Sequence, residues 1–274
     1  MFKKNEITGI DVHAHVFTTN LRYIPHRRYT PSYNATAIDF FNCLDSIGFS
    51  HGVLVQPSFL GTDNSYLLST LQSSSGRLKG IAVIGPEHSM TELESMAAMG
   101  VTGIRLNCIG KENPHSRDKS FIKMMEKVAS LGWHVEIHQN GLLVRELVQN
   151  LLPYGIEIVI DHFGRPDMTF PADMLKLKQI LTLSEKENVM IKASGLYRLW
   201  HRHENDRTNA ERLMNIFIKN FSKERIMIGS DWPHTQFESQ VSYNGVMNEL
   251  ISFASENNIK EYVCIKNAQR LYGF

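Results

Sequence analysis

Five side chains have the chemistry of a hydrolytic or metal-assisted centre: His13, His15, His138, His162 and Asp231. His13 and His15 lie two residues apart in Asp11-Val12-His13-Ala14-His15, a spacing that puts both imidazoles on one side of an extended chain. Imidazole and carboxylate ligate Zn²⁺ and related divalent ions, and they also act as general acids and bases. Brought to one point, residues of these types would suit a divalent ion such as Zn²⁺. Each residue alone also has an ordinary structural reading: a His-x-His can be a packing pair, and Asp231 could cap the segment after it. Their joint placement after strand ends is what points to chemistry.

A second group is cationic. Arg105, Lys111, Arg165 and Arg198 all follow strand ends in a chain whose 29 Lys+Arg and 28 Asp+Glu leave a net charge of +1. Guanidinium forks match carboxylates in a bidentate way, so the grouping points to a small anionic substrate. For the loop residues the alternative is solvated charge or ion pairing with neighbours such as Asp167 and Glu136. Arg105 interrupts an apolar run, Gly-Ile-Arg-Leu-Asn, where that alternative is weaker. The near-zero net charge provides no global field to attract nucleic acid or an anionic membrane.

These residues need elements to hold them. Short apolar runs predict eight strands: Thr8–Val12, Gly52–Gln56, Gly80–Ile84, Gly103–Leu106, His134–His138, Glu157–Asp161, Val189–Lys192 and Arg225–Gly229. Apolar residues at three- and four-residue intervals predict helices over Thr36–Ile47, Asn64–Gln72, Thr91–Met99, Lys119–Leu131, Leu142–Leu152, Met174–Glu187 and Asn209–Phe221. The alternation over 274 residues fits a single-domain (β/α)8 TIM barrel spanning residues 1–274. An open doubly wound sheet is the competitor, but no GxGxxG follows the first strand and no GxxxxGK[ST] occurs. In a barrel, chemistry sits at the carboxyl ends of the strands, where His13, His15, Ser58, Arg105, His138, His162, Arg165, Arg198 and Asp231 fall. The longer loops, Phe17–Tyr33, Gly110–Arg117 and Gly195–Arg207, all follow strands.

Other features bound the setting. The amino terminus has no apolar run of the length a signal peptide needs, and no stretch has the roughly 18 apolar residues of a membrane span. Cys43, Cys108 and Cys264 are odd in number and widely spaced, which fits a reducing cytoplasm. Met124, Met125, Val128 and Leu131 follow helical spacing and are expected in the core, as are Trp133 and Trp200. Asp11 either supports a ligand histidine or ends its strand.

The blocks Asp11-Val12-His13-Ala14-His15, Ile160-Asp161-His162-Phe163-Gly164-Arg165-Pro166-Asp167, Gly229-Ser230-Asp231-Trp232-Pro233-His234 and Asn267-Ala268-Gln269-Arg270-Leu271-Tyr272-Gly273-Phe274 resemble the amidohydrolase superfamily. Within it they are most similar to the amidohydrolase-2 type that contains the 2-pyrone-4,6-dicarboxylate lactonases. The likeness runs in order from residue 11 to residue 274. It implies a distorted TIM barrel that hydrolyses lactones, often carboxylated ones. It also implies roles: His13, His15 and His162 polarise the lactone carbonyl, Asp231 activates water, and Arg105, Arg165 and Arg198 bind carboxylates. Tyr29, Ser58 and Gln236 align with further substrate contacts. This sequence departs from the pattern at three places. Gln236 stands for an asparagine, Lys111 for an arginine, and His138 for a tyrosine; the last restores the strand-five histidine of metal-dependent members. The resemblance thus implies either one divalent ion, zinc foremost, held by His13, His15, His138 and Asp231, or, as in the lactonase type, no metal.

The leading expectation is therefore a lactone hydrolase. The rivals are a metal-dependent decarboxylase or hydratase of aromatic acids, a lactone isomerase using the same acid and base, and a barrel that only binds an anionic metabolite.

Overall fold

A computed structural model describes residues 6–166, 173–199 and 206–274. Its strands are β1 (Ile10–Ala14), β2 (His51–Val55), β3 (Leu78–Ala82), β4 (Val101–Asn107), β5 (His134–His138), β6 (Ile158–Ile160), β7 (Val189–Ala193) and β8 (Ile226–Ile228). The sheet order is β1 through β8 in sequence. Helices alternate with them: α1 (Ala37–Ser46), α2 (Ser65–Ser73), α3 (Met90–Ala98), α4 (Lys119–Ser130), α5 (Gly141–Leu151), α6 (Asp173–Leu181), α7 (Asp206–Phe221), α8 (Tyr243–Glu256) and α9 (Asn267–Tyr272). This is the (β/α)8 barrel order; a doubly wound sheet would reverse its order at a switch point.

The chain forms two compact units, residues 1–102 with 228–274, and residues 103–227. In the first, β1 pairs in parallel with β2, and β2 with β3. The segment after β8 joins β1 directly: the Asp231 N–H donates to the His13 carbonyl and the His15 N–H to the Trp232 carbonyl, both at 2.8 Å. Gly229 permits this approach, since a Cβ there would lie 2.8 Å from the Cβ of His13 and 2.9 Å from its backbone nitrogen. In the second unit β4, β5, β6 and β7 pair in parallel in that order.

The strands are buried as their apolar runs require, Ile158-Val159-Ile160 on every residue. Thr36 with Asp39 and Ser89 with Glu92 form capping boxes that start α1 and α3. α4 turns Phe121, Met124, Met125 and Val128 inward, and Trp133 is buried just beyond it. Trp200 lies outside the described residues.

Some boundaries differ from the sequence expectation. β1 starts two residues later and runs to Ala14, so His13 is within the strand. The helix expected over 174–187 ends at Leu181 and continues as a 3₁₀ turn, Thr182–Glu185. α8 and α9 were not among the expected helices. No helix among the described residues is long and apolar enough to cross a membrane.

Candidate active site

In the first unit, His13, His15 and Asp231 meet, all buried. Parallel pairing of β1 with the turn after β8 brings them together from opposite ends of the chain. The Nδ1 of His15 lies 2.7 Å from the Val55 carbonyl oxygen. A carbonyl only accepts, so Nδ1 carries the proton, and in the neutral ring Nε2 is a bare lone pair. That Nε2 sits 3.5 Å from Asp231 Oδ1, and His13 Nε2 sits 3.8 Å from the same oxygen. The two imidazoles stand edge to face, 5.0 Å between centroids. A lone pair facing a carboxylate oxygen calls for something positive between them, a shared proton or a bound cation. Imidazole nitrogens and a carboxylate oxygen are donor types that suit a divalent ion, and the bond from His15 Nδ1 to a backbone carbonyl is the outer support that metal-bound histidines use.

Asp11 supports this trio from below. Its Oδ1 accepts the N–H of His13 at 3.1 Å and the N–H of Ser230 at 2.9 Å, linking β1 to the turn that carries Asp231. Burial pushes its carboxyl up from 3.8 to about 6, although hydrogen bonds from Ser230, His13 and Tyr243 oppose the shift. The turn itself is bent sharply: Asp231, His234 and Gln236 have φ of 60°, 62° and 73°, in the left-handed region that non-glycine residues rarely occupy.

The second unit holds the other expected groups. Arg105 is buried and donates from Nε to Asp161 Oδ2 at 2.9 Å and from Nη2 to His138 Nδ1 at 3.1 Å. The rings of His138 and His162 meet edge to face at 5.0 Å, and His162 Nδ1 is 2.8 Å from Ser194 Oγ. His162 and Arg165 follow β6 with φ of 52° and 48°, so the chain turns back at the strand end and presents successive side chains there. Burial first, then the neighbouring Arg105 and His162, hold His138 well below the usual imidazole range, so it is neutral at pH 7. Beneath lies a buried charge network: Lys192 Nζ is 2.6 Å from Glu136 Oε2 and 3.7 Å from Asp161 Oδ1. Burial, the largest influence, would raise the Glu136 carboxyl, but the Lys192 ammonium and His134 together outweigh it and hold the group below its ordinary value.

The remaining expected residues are more dispersed. Tyr29 donates its hydroxyl to Glu238 Oε1 at 2.8 Å, and Tyr33 does the same at 2.7 Å. Burial, with the Glu238 bond, raises the Tyr29 phenol to about 12. Ser58 opens a 3₁₀ turn after β2, and Gln236 is exposed two residues before Glu238. Lys111 is exposed, with its carbonyl accepting from Gln139. Arg165 and Arg198 are half-buried, Arg198 stacked over the Tyr197 ring at 5.0 Å. The Asp167 named above as an ion-pair neighbour lies outside the described residues.

Sequence reasoning missed Glu136, Asp161 and Lys192 as a network and Glu238 as the partner of two tyrosines. The first three carry a readable signal, a charged residue inside a run otherwise fit for burial, as in Val-Met-Ile-Lys-Ala.

The family model described as Amidohydrolase matches residues 10–274. The 2-pyrone-4,6-dicarboxylate hydrolase of Comamonas testosteroni is 29% identical over 96% of this chain and 90% of its own length. A crystal structure from Pseudomonas putida, to which 2-pyrone-4,6-dicarboxylic acid hydrolase activity is ascribed, superposes with a TM-score of 0.91 at 40% identity over 98% of each chain. A structure from Acinetobacter baumannii with the same ascribed activity and citric acid bound also gives 0.91, at 36% identity, over 98% of this chain and 100% of its own.

Proposed function

The chain belongs to the amidohydrolase family, and we propose on that basis that it hydrolyses the lactone ring of a small carboxylated metabolite. The observation that carries the reading is the pairing of Asp231 Oδ1 with His13 Nε2 and His15 Nε2 at 3.8 and 3.5 Å in a buried setting. A carboxylate so placed is a base for a water molecule. Asp231 takes a proton from water, and the hydroxide adds to the ring carbonyl. His162 stabilises the oxyanion. The tetrahedral carbon then expels the ring oxygen, breaking the C–O ester bond, and that oxygen receives the proton held by Asp231. The product is an open-chain acid, with one water consumed.

His13, His15 and Asp231 are the residues that would hold a divalent ion, which when bound would acidify water and polarise the carbonyl. Arg105, Arg165, Arg198 and Lys111 are assigned to the substrate carboxylates, with Tyr29, Ser58 and Gln236 as further contacts. The three free cysteines support a reducing compartment such as the cytoplasm.

The test is ring opening of a panel of lactones, 2-pyrone-4,6-dicarboxylate included, each paired with its uncarboxylated analogue and followed by chromatography of the open-chain acid. Turnover restricted to the carboxylated members is expected. No ring opening of any carboxylated lactone, or release of carbon dioxide instead, would overturn the assignment.

A further inference from the structure

The hydrogen bond between Arg105 and His138 has a consequence for which ligands the centre can use. A guanidinium has five N–H donors and no acceptor, so the His138 nitrogen facing Arg105 Nη2 at 3.1 Å must be a lone pair. That nitrogen is Nδ1. A neutral imidazole with Nδ1 bare carries its proton on Nε2. We infer that Arg105 is a positioning residue that locks His138 in its Nε2–H form, making His138 a neutral hydrogen-bond donor to a carboxylate of the substrate and excluding it from the metal-ligand set.

The contrast with His15 shows how the two rings are set to opposite tasks. His15 gives its Nδ1 proton to the Val55 carbonyl and keeps a lone pair on Nε2, the form a metal ion needs. His138 receives a proton donor at Nδ1 and keeps N–H on Nε2, the form that cannot ligate a cation. Turning the tautomer over would set the Nδ1–H of His138 against a guanidinium N–H, two donors facing one another in a buried site. Arg105 cannot easily give way, because its Nε is tied to Asp161 Oδ2 at 2.9 Å. His138 Nε2 itself is buried and has no hydrogen-bond partner among the described residues. Leaving such a donor unmet is unfavourable, and an anionic oxygen brought by a substrate would satisfy it. Arg105 and Arg165 lie close enough to act on the His138 ring electrostatically, so the surroundings favour a substrate carboxylate over a neutral oxygen.

This inference rests on the lactonase reading only for the identity of the acceptor; the tautomer can be tested without any substrate. Nitrogen NMR of histidine-labelled protein, with His138 assigned from the signal missing in His138→Gln, should show a protonated Nε2 and a bare Nδ1 near neutral pH. A bare Nε2 would overturn the proposal. Zn²⁺ titration gives a second readout. His138→Gln should bind Zn²⁺ as the wild type does, whereas His15→Ala should lose more than the about 10–100-fold typical of losing an outer partner. Loss of Zn²⁺ affinity in His138→Gln would make His138 a ligand and refute the assignment. With a carboxylated lactone, His138→Gln, whose amide keeps a donor near the Nε2 position, should retain a near-native KM. His138→Leu should raise KM by about 10–100-fold, as loss of a charge-assisted hydrogen bond does, with kcat little changed. A native KM in folded His138→Leu would remove the donor role. A wholly inactive wild type with an Nε2–H spectrum would instead fault the lactonase reading alone.

Discussion

Glu136→Gln tests whether the buried charge network under the β4 to β7 strand ends is what holds Arg105 in place. The substitution preserves shape but removes the carboxylate 2.6 Å from Lys192 Nζ, both side chains being fully buried. Removing one partner of a buried ion pair costs about 3–5 kcal/mol, because the remaining charge stays out of water. With an unfolding entropy of about 2.1 cal/mol/K per residue, 274 residues give roughly 0.6 kcal/mol/K. The melting temperature should therefore fall by roughly 5–9 °C in a circular-dichroism scan at neutral pH. Glu136 has a folded value below its ordinary 4.5, so its stabilisation is present above that pH and fades as the pH falls through the folded value. The difference between variant and wild type should accordingly shrink on acidification below 4.5. Because Asp161 is shared by Lys192 and Arg105, at 3.7 and 2.9 Å, the variant should also raise KM for an anionic substrate. A melting temperature within about 1 °C of wild type would refute the argument. So would a Glu136→Gln/Lys192→Met double variant no more stable than Glu136→Gln, since replacing both charges should recover part of the loss.

Asp11 gives a pH test of opposite sign. Its folded value of about 6 exceeds the ordinary 3.8, so its favourable contribution is complete below 3.8 and lost as the pH rises through 6. The stability of wild type relative to Asp11→Asn, by urea unfolding, should fall across that window; a flat difference would contradict the burial argument. Glu238→Ala removes the acceptor of both Tyr29 and Tyr33 at an exposed position, so unfolding free energy should change by only about 1 kcal/mol while KM rises through Tyr29. An unchanged KM would take Tyr29 out of substrate binding. Elemental analysis of purified protein and of His13→Ala should show any bound divalent ion lost in the variant; full retention would remove His13 from the ligand set.

Much of the barrel was legible because a parallel strand buried on both faces must be an apolar run, and such runs recur along this chain. The alternation in β1 also put His13 and His15 on one side, and the structure keeps their rings 5.0 Å apart. α8 carried a readable pattern as well, with Val246, Met247, Leu250, Phe253 and Ala254 buried at helical spacing. What no local pattern reveals is a side-chain partner far along the chain. Tyr29 and Tyr33 reach Glu238 across more than 200 residues of sequence, and Arg105 reaches Asp161 across 56. The tautomers of His15 and His138 depend on Val55 and Arg105, so identical residue types in the sequence come out with opposite chemistry.

The central claim is that Asp231 activates the water that opens the ring. Its most direct test is the steady-state rate of ring opening of a carboxylated lactone by Asp231→Asn, with circular dichroism to establish that the variant folds. A folded variant with kcat lowered by about 10²–10⁴ is expected, the usual contribution of a general base. Wild-type turnover in that folded variant would contradict the account.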